Sequence, residues 1–434
     1  MDHGRKPQAH EVEQLAITER PSKLYPSPKI EALPSSVFAL GASVAAQFAL
    51  LASGVGTAWL LGDVGRGILA YGAVIGTLCG TLASGGLQSS SAVAIHGYQN
   101  EEQASFLSHL TKIGIRRGVI AAAVSVLILV AFRSEIGSAV VPLSIGTAAA
   151  AFGLVRLQAG TGTLQGLGKV NSANAYRLIP SVVYAIGVLA TVAFLRGSDR
   201  PTLTLVALAW AAGWILVAAV PTQRALRGAF EKSVLSHSER SRFSRLERAH
   251  FLSSLSTYEV LRFDHLAAAL LISTADLGVY SVAMSFTGLL KAMATSFGVA
   301  SLGDSLAEMS NRSLLRTVGS RAAVVLIAAV ALILVIPFAI DAILPPVFSS
   351  AVTPSRLLVT AAAFAAIRRS LVEMAKGLDL VRVGSVTEVA QVAIFVILSL
   401  VAERTASGVA LAIAVAMAIS CLATTIWVIR ERST

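Results

Sequence analysis

Glu259, Arg262, Asp264 and His265 fall within seven residues of one another in a stretch otherwise apolar enough to cross a membrane. A charge near a bilayer centre costs about 2.5–3.5 kcal/mol even on insertion scales, so ionisable groups there mark candidate functional sites. The spacing sorts them on a helix. Glu259, Arg262 and His265 are three apart and share one stripe, whereas Asp264 points about 200° from Arg262. An arginine facing a watery cavity can grip phosphate oxygens bidentately. Glu259, Asp264 and His265 are the candidate ion-coupling groups, able to carry a proton or a cation. The plainer alternative, a Glu259–Arg262 pair neutralising itself, stands beside these readings.

Two more cations lie inside apolar stretches. Lys291 is about a dozen residues from either end of its span, and Arg156 is well inside its own. Neither has an acidic neighbour three or four residues away, so each must find a partner on another helix or line water. Arg156, Arg262 and Lys291 are therefore the candidate substrate-binding residues. Arg368 and Arg369 sit near a span end and read as orientation signals, and Asp63 with Arg66 reads as a local ion pair at a turn.

These groups need a frame of membrane helices. The 434 residues are 55% hydrophobic and 14% charged, with a mean hydropathy of +0.73, too apolar for an ordinary soluble domain. At about 20 residues per crossing, twelve stretches qualify: 36–61, 68–95, 114–132, 140–164, 179–195, 203–220, 250–272, 279–299, 322–340, 356–374, 386–401 and 409–429. The expected class is an all-α, multi-pass membrane protein. Of the 35 Lys and Arg, 26 fall in the tail, in alternate connections and at the C-terminus, against 5 in the opposite connections. The positive-inside bias then places both termini in the cytoplasm. Topology accounts for the net charge of +11, and no nucleic-acid partner is needed. Residues 1–34 are polar and rich in Pro, and read as a disordered cytoplasmic tail. Cys79 and Cys421 lie inside spans and imply no disulfide framework.

The chain also echoes itself. Asp63-Val64-Gly65-Arg66-Gly67-Ile68-Leu69-Ala70 resembles Asp276-Leu277-Gly278-Val279-Tyr280-Ser281-Val282-Ala283 at an offset of 213. Arg156 with Gln165-Gly166-Leu167 pairs with Arg368 and Lys376-Gly377-Leu378 at an offset of 211 to 212. The expected organisation is an N-terminal lobe of six helices (35–222), a basic cytoplasmic linker (223–249) and a C-terminal lobe of six (250–430). An even number of spans keeps the halves parallel, and such repeats place a substrate site at their interface. Gly72, Gly76, Gly80 and Ser84 recur every four residues and read as a helix-packing face.

Taken together, Gly65-Arg66-Gly67-Ile68-Leu69-Ala70, Gly86-Leu87-Gln88-Ser89-Ser90-Ser91-Ala92, Leu164-Gln165-Gly166-Leu167-Gly168-Lys169, and Asp264 followed by Asp276-Leu277-Gly278 resemble a known family. It is the O-antigen and polysaccharide flippase family of the multidrug/oligosaccharidyl-lipid/polysaccharide exporter superfamily. The likeness spans 36–429 and departs from the pattern at Lys376-Gly377-Leu378-Asp379. It implies two lobes forming a V around a central, cation-bearing cavity in a bacterial cytoplasmic membrane. It implies a flippase that moves a polyprenyl-diphosphate-linked oligosaccharide across that membrane by alternating access, for O-antigen or exopolysaccharide synthesis. Partners expected on this reading are the lipid-linked oligosaccharide, membrane lipids, and the polysaccharide polymerase and glycosyltransferases of the same synthesis.

The main rival is a cation-coupled multidrug-type antiporter of the same superfamily, which would carry more acidic than basic intramembrane groups. An enzyme is not expected. The longest outer connection, 341–355, holds one acidic residue, and no Walker, nucleophile-elbow, Cys-x-x-Cys or His-x-x-x-His pattern occurs. No cofactor or metal is expected. Gly160, Gly162 and Gly166 have no strand before them, so they make no dinucleotide site.

Overall fold

The computed structural model describes residues 32–96, 100–195, 202–226, 236–254, 262–306, 311–377 and 380–433. No strand occurs among them. Helix α1 (Ala32–Ser84) is followed by α2 (Leu87–His96), α3 (Asn100–Ala131), α4 (Val140–Gly166), α5 (Val170–Leu195), α6 (Thr202–Leu226) and α7 (His237–Ser254). The second half comprises α8 (Phe263–Leu271), α9 (Thr274–Ser285), α10 (Gly288–Leu306), α11 (Asn311–Ile343), α12 (Val352–Gly377), α13 (Val381–Val401) and α14 (Ala406–Ser433). Helices are what lipid permits, because each satisfies its own backbone hydrogen bonds. Nine stretches of the described residues are long and apolar enough to cross a membrane, or ten counting one bent pair.

That number is roughly consistent with twelve predicted spans: splitting α1 at Gly62 makes eleven, and predicted span seven, 250–272, falls partly outside the described residues. Helix α1 has 53 residues, about 80 Å at 1.5 Å per residue, too long for one crossing. Gly62, at φ 63° and ψ −169°, interrupts it and separates spans one and two. The sequence predicts an unbroken helix over 250–272; residues 255–261 lie outside the described residues, and Arg262, at φ 48° and ψ 50°, is not helical where α8 begins at Phe263. Span eight is the bent pair α9 and α10, turning by 50° at Phe286–Thr287.

Two six-helix lobes result, each built around one long, well-buried helix. In the N-terminal lobe α4 is enclosed by α1, α3 and α6, and in the C-terminal lobe α12 is enclosed by α10, α11 and α14. The glycine stripe packs as expected: a Cβ at Gly76 would sit 2.9 Å from the Thr147 carbonyl of α4. The echoing turns face each other across the lobe interface. Gly67 lies against the Thr274 carbonyl and Gly278 against the Asp63 carbonyl, leaving no room for a side chain at either. Trp59 Nε1 donates to the Ile343 carbonyl (2.7 Å), another tie between the lobes. These contacts lie at the end opposite the Arg-rich connections, called here the basic end.

Candidate functional site

A cavity runs between the lobes from mid-depth toward the basic end. Its inner chamber, about 240 Å³, is lined by Arg66, Tyr184, Trp210, Trp214, Arg262, His265 and Lys291, among others. The chamber nearer the basic end, about 340 Å³, shares Gln47, Arg262 and Lys291 with it and adds Arg177 and Arg369. Five basic side chains line the two chambers. Among the described residues no Asp or Glu lines either one.

Each basic group arrives by a different route. Arg262 is the only non-glycine residue with positive φ among those described (φ 48°, ψ 50°), immediately before α8. Non-glycine residues adopt this region at a cost of order 1 kcal/mol or more, and such outliers cluster at functional sites. Lys291 sits in the first turn of α10, just past the bend, with Nζ 3.6 Å from the Met284 sulfur. Irregular backbone at membrane depth is tolerated where it lines a cavity, and broken helices at the repeat interface carry substrate sites in transporters. Arg369 projects from α12 and Arg177 from α5 into the chamber nearer the basic end.

Arg66 corrects one sequence expectation. It does not pair with Asp63, whose Oδ1 instead accepts the Val64 N–H (2.9 Å). The Gly62 break turns Arg66 inward, where it lies beside Tyr184 and reaches to within 3.7 Å of a Cβ position at Gly54. The aromatic lining is held by small neighbours. Trp210 and Trp214, one helical turn apart on α6, pack over Gly146 and Gly153 of α4 while lining the inner chamber.

Behind the cationic wall sits a buried carboxylate. Asp264 is fully buried and accepts from the Tyr280 hydroxyl at Oδ2 (2.9 Å). His265 Nδ1 lies 3.4 Å from the same oxygen, and its ring meets Tyr280 edge-on. Asp264 Oδ1 has no hydrogen-bond partner among the described residues. The carboxylate also lies in the electrostatic field of Lys291. His265 is the one member of this trio that lines the cavity.

The structure thus brings together Arg262, Lys291, Asp264 and His265 from the sequence-derived set. Glu259 lies outside the described residues. Arg156 stands apart from the cavity. It is buried inside the N-terminal lobe, donates to the Thr111 carbonyl of α3 (3.2 Å), and has Gly114 making room for its guanidinium. Its repeat counterpart Arg368 is buried in the C-terminal lobe, bonded to Glu388 (2.6 Å) and Thr387 (3.1 Å) of α13. Both arginines brace their own lobes. Sequence reasoning missed Arg66, Arg177 and Arg369 as cavity residues. Position 66 looked like a turn, and 177 and 369 looked like orientation signals.

No protein-family model matches the sequence, and comparison with curated proteins finds no match. Solved structures do match. An inward-facing multidrug resistance MATE family transporter of the MOP superfamily superposes with a TM-score of 0.67 at 17% identity, covering 92% of this chain and 98% of that one. The lipid II flippase MurJ in an inward closed conformation gives 0.70 at 12% identity over 92% and 87% of the two chains. This chain has the fold of MOP-superfamily transporters. An outward-facing MATE family transporter gives 0.58 at 16% identity over 92% and 94%. With its apolar spans, the protein is a multi-pass membrane protein.

Proposed function

We propose that the protein is a flippase that moves an anionic, lipid-linked substrate across the bacterial cytoplasmic membrane by alternating access, its cargo being an oligosaccharide on a polyprenyl diphosphate. One observation carries the reading: Arg66, Arg177, Arg262, Lys291 and Arg369 line the cavity, and among the described residues no Asp or Glu joins them in its lining. Charge-assisted contacts to phosphate are the strong ones, and Arg262 and Arg66 offer planar forks for it. Trp210, Trp214 and Tyr184 supply flat apolar surface with polar edges for the sugars. The polyprenyl tail stays in lipid. With the Arg-rich end cytoplasmic, the cavity extends toward the leaflet from which the cargo is taken.

Asp264 and His265 are the proposed coupling groups. An ion or proton held by Asp264 would cancel its charge and free the field of Lys291 for the substrate's phosphate. Loss of that ion would return Lys291 to the carboxylate. The same wall disfavours a drug-like cation as cargo, because the lining repels it. Polymerase and glycosyltransferase partners follow from this reading alone.

Reconstituted vesicles test it. Wild-type protein should flip a fluorescent polyprenyl-diphosphate oligosaccharide, and an Arg262→Ala/Lys291→Ala variant should lose most of the rate while still folding. Wild-type rates in that variant, or faster wild-type transport of tetraphenylphosphonium than of the anionic lipid, would remove the proposal.

A further inference from the structure

The linker helix α7 is tied to the N-terminal lobe along one face only. Phe243, 2% exposed, stacks edge-on against Phe106 of α3 with ring centroids 5.1 Å apart. Glu247 is buried and receives both Arg117 nitrogens, at 2.8 and 3.0 Å. Phe251 covers Gly85 at the end of α1. These three anchors hold the helix in a fixed pose across the basic end.

The pose exposes a flank with a regular pattern. Arg240, Ser244 and Arg248 recur every four residues, on one side of the helix, and all three are exposed. Lys112 and Arg116 of α3, also exposed, are likewise four apart. His109 of α3 meets the Phe243 ring of α7 edge-on and lies in the field of both Arg240 and Lys112. Between α7 and the spans lies a groove of about 380 Å³ lined by Leu82, Ile120, Arg117, Ser244, Arg248 and Phe251, among others. Leu82 and Ile120 are 46% and 52% exposed on the outward faces of their spans, so one end of the groove is continuous with the lipid-facing surface. The other end is rimmed by Arg248, the Ser244 hydroxyl and Arg117, whose guanidinium is paired with the Glu247 carboxylate in the same lining.

We propose that this groove is a binding site for an anionic membrane phospholipid, its phosphate held by Arg248 and Ser244, with Arg240 farther along the same flank adding to the field, and an acyl chain laid over Leu82 and Ile120. An orientation signal alone needs neither a fixed helix nor a groove with an apolar floor. Basic groups on a helix at the cytoplasmic surface attract anionic headgroups, and here the anchored pose turns that general attraction into a located site. The site is separate from the central cavity and independent of the cargo proposed above.

The test uses the full chain in detergent, with dioleoylphosphatidylglycerol, dioleoylphosphatidylcholine or inorganic phosphate added. Native mass spectrometry reads bound lipid and thermal unfolding reads stabilisation. Phosphatidylglycerol should raise Tm and give adducts that an Arg240→Gln/Arg248→Gln variant, and Arg248→Gln to a lesser degree, reduces by roughly tenfold. An Arg316→Gln/Arg382→Gln variant, stripped of two exposed charges in the C-terminal lobe, should bind as the wild type does. Undiminished adducts and Tm shift in the groove variants would overturn the proposal. So would an equal loss in the control variant, which would mean diffuse attraction. An equal response to phosphatidylcholine, or a phosphate response that replaces the lipid's, would overturn it as well.

Discussion

The two walls of the cavity are built differently. The N-terminal lobe presents long helices, two tryptophans one helical turn apart and a tyrosine, with Arg66 and Arg177 toward either end. The C-terminal lobe presents Arg262 and Lys291 at two breaks in its backbone, α8 starting from a left-handed residue and α9–α10 bending by 50°. Behind it lies the Asp264–His265–Tyr280 cluster. A regular helix spaces side chains evenly over its surface, whereas a break lets one or two be aimed. The titratable groups that can change charge sit on the broken wall, and the shape-bearing aromatics on the regular one. On the proposed function, affinity is switched from the C-terminal side while the N-terminal side supplies a constant surface.

The largest effect should come from reversing a charge on the broken wall. Lys291→Glu would set a carboxylate against incoming phosphate and beside Asp264, and transport should fall by more than about 100-fold. Removal of one charge-assisted contact is worth about 1.5–3 kcal/mol, or roughly 10- to 100-fold, before repulsion is added. Flipping rates in vesicles check this, and transport within threefold of wild type would dissolve the contrast between the walls. Asp264→Asn comes next. The amide can still accept from Tyr280, so the fold should hold. The rate should drop roughly tenfold under an imposed ion gradient and change little in gradient-free exchange. An unaltered response to the gradient would take the coupling role away from Asp264.

Smaller effects are expected on the regular wall. Trp214→Ala removes stacking surface worth about 0.5–1.5 kcal/mol, so the half-saturating concentration of an oligosaccharide-bearing lipid should rise roughly 2- to 10-fold. A polyprenyl diphosphate without sugars should be handled as before. Equal losses for both lipids would mean that the tryptophan supports the fold and not the sugars.

The difference between the walls also marks what the sequence could reveal. Most span positions follow from hydropathy, and the turns that echo each other at an offset of 213 do meet, Gly67 on Thr274 and Gly278 on Asp63. The break at Arg262 was hidden because arginine carries no local preference for positive φ. Residues 259 to 265 therefore read as one continuous helix stripe. Arg66 was hidden for the opposite reason: Gly62 is visible as a glycine, but the direction in which its break turns the next helix is a tertiary matter. Arg177 and Arg369 carry the charge that any cytoplasm-facing connection would carry. Only packing separates those that line the cavity from those that face solvent.

Arg156 gives the finest test, since its chemistry alone cannot distinguish a brace from a ligand. A guanidinium inside a span reads the same way whether it faces water or the neighbouring helix. Here it faces α3, donating to Thr111, a carbonyl within a helix that already has its own backbone donor. Met keeps the length and apolar stem of the side chain, and the Thr111 carbonyl, which has its helical donor, is not left unsatisfied when the guanidinium goes. Arg156→Met should therefore leave Tm within a few degrees and the flipping rate within twofold. Arg368→Met should destabilise more, because Glu388 loses its 2.6 Å partner in a largely buried place, and removing one member of a buried pair costs up to about 3–5 kcal/mol. If Arg156→Met instead abolished transport with its melting curve intact, the regular wall would have to open during the cycle far enough to bring α4's interior into the substrate's path.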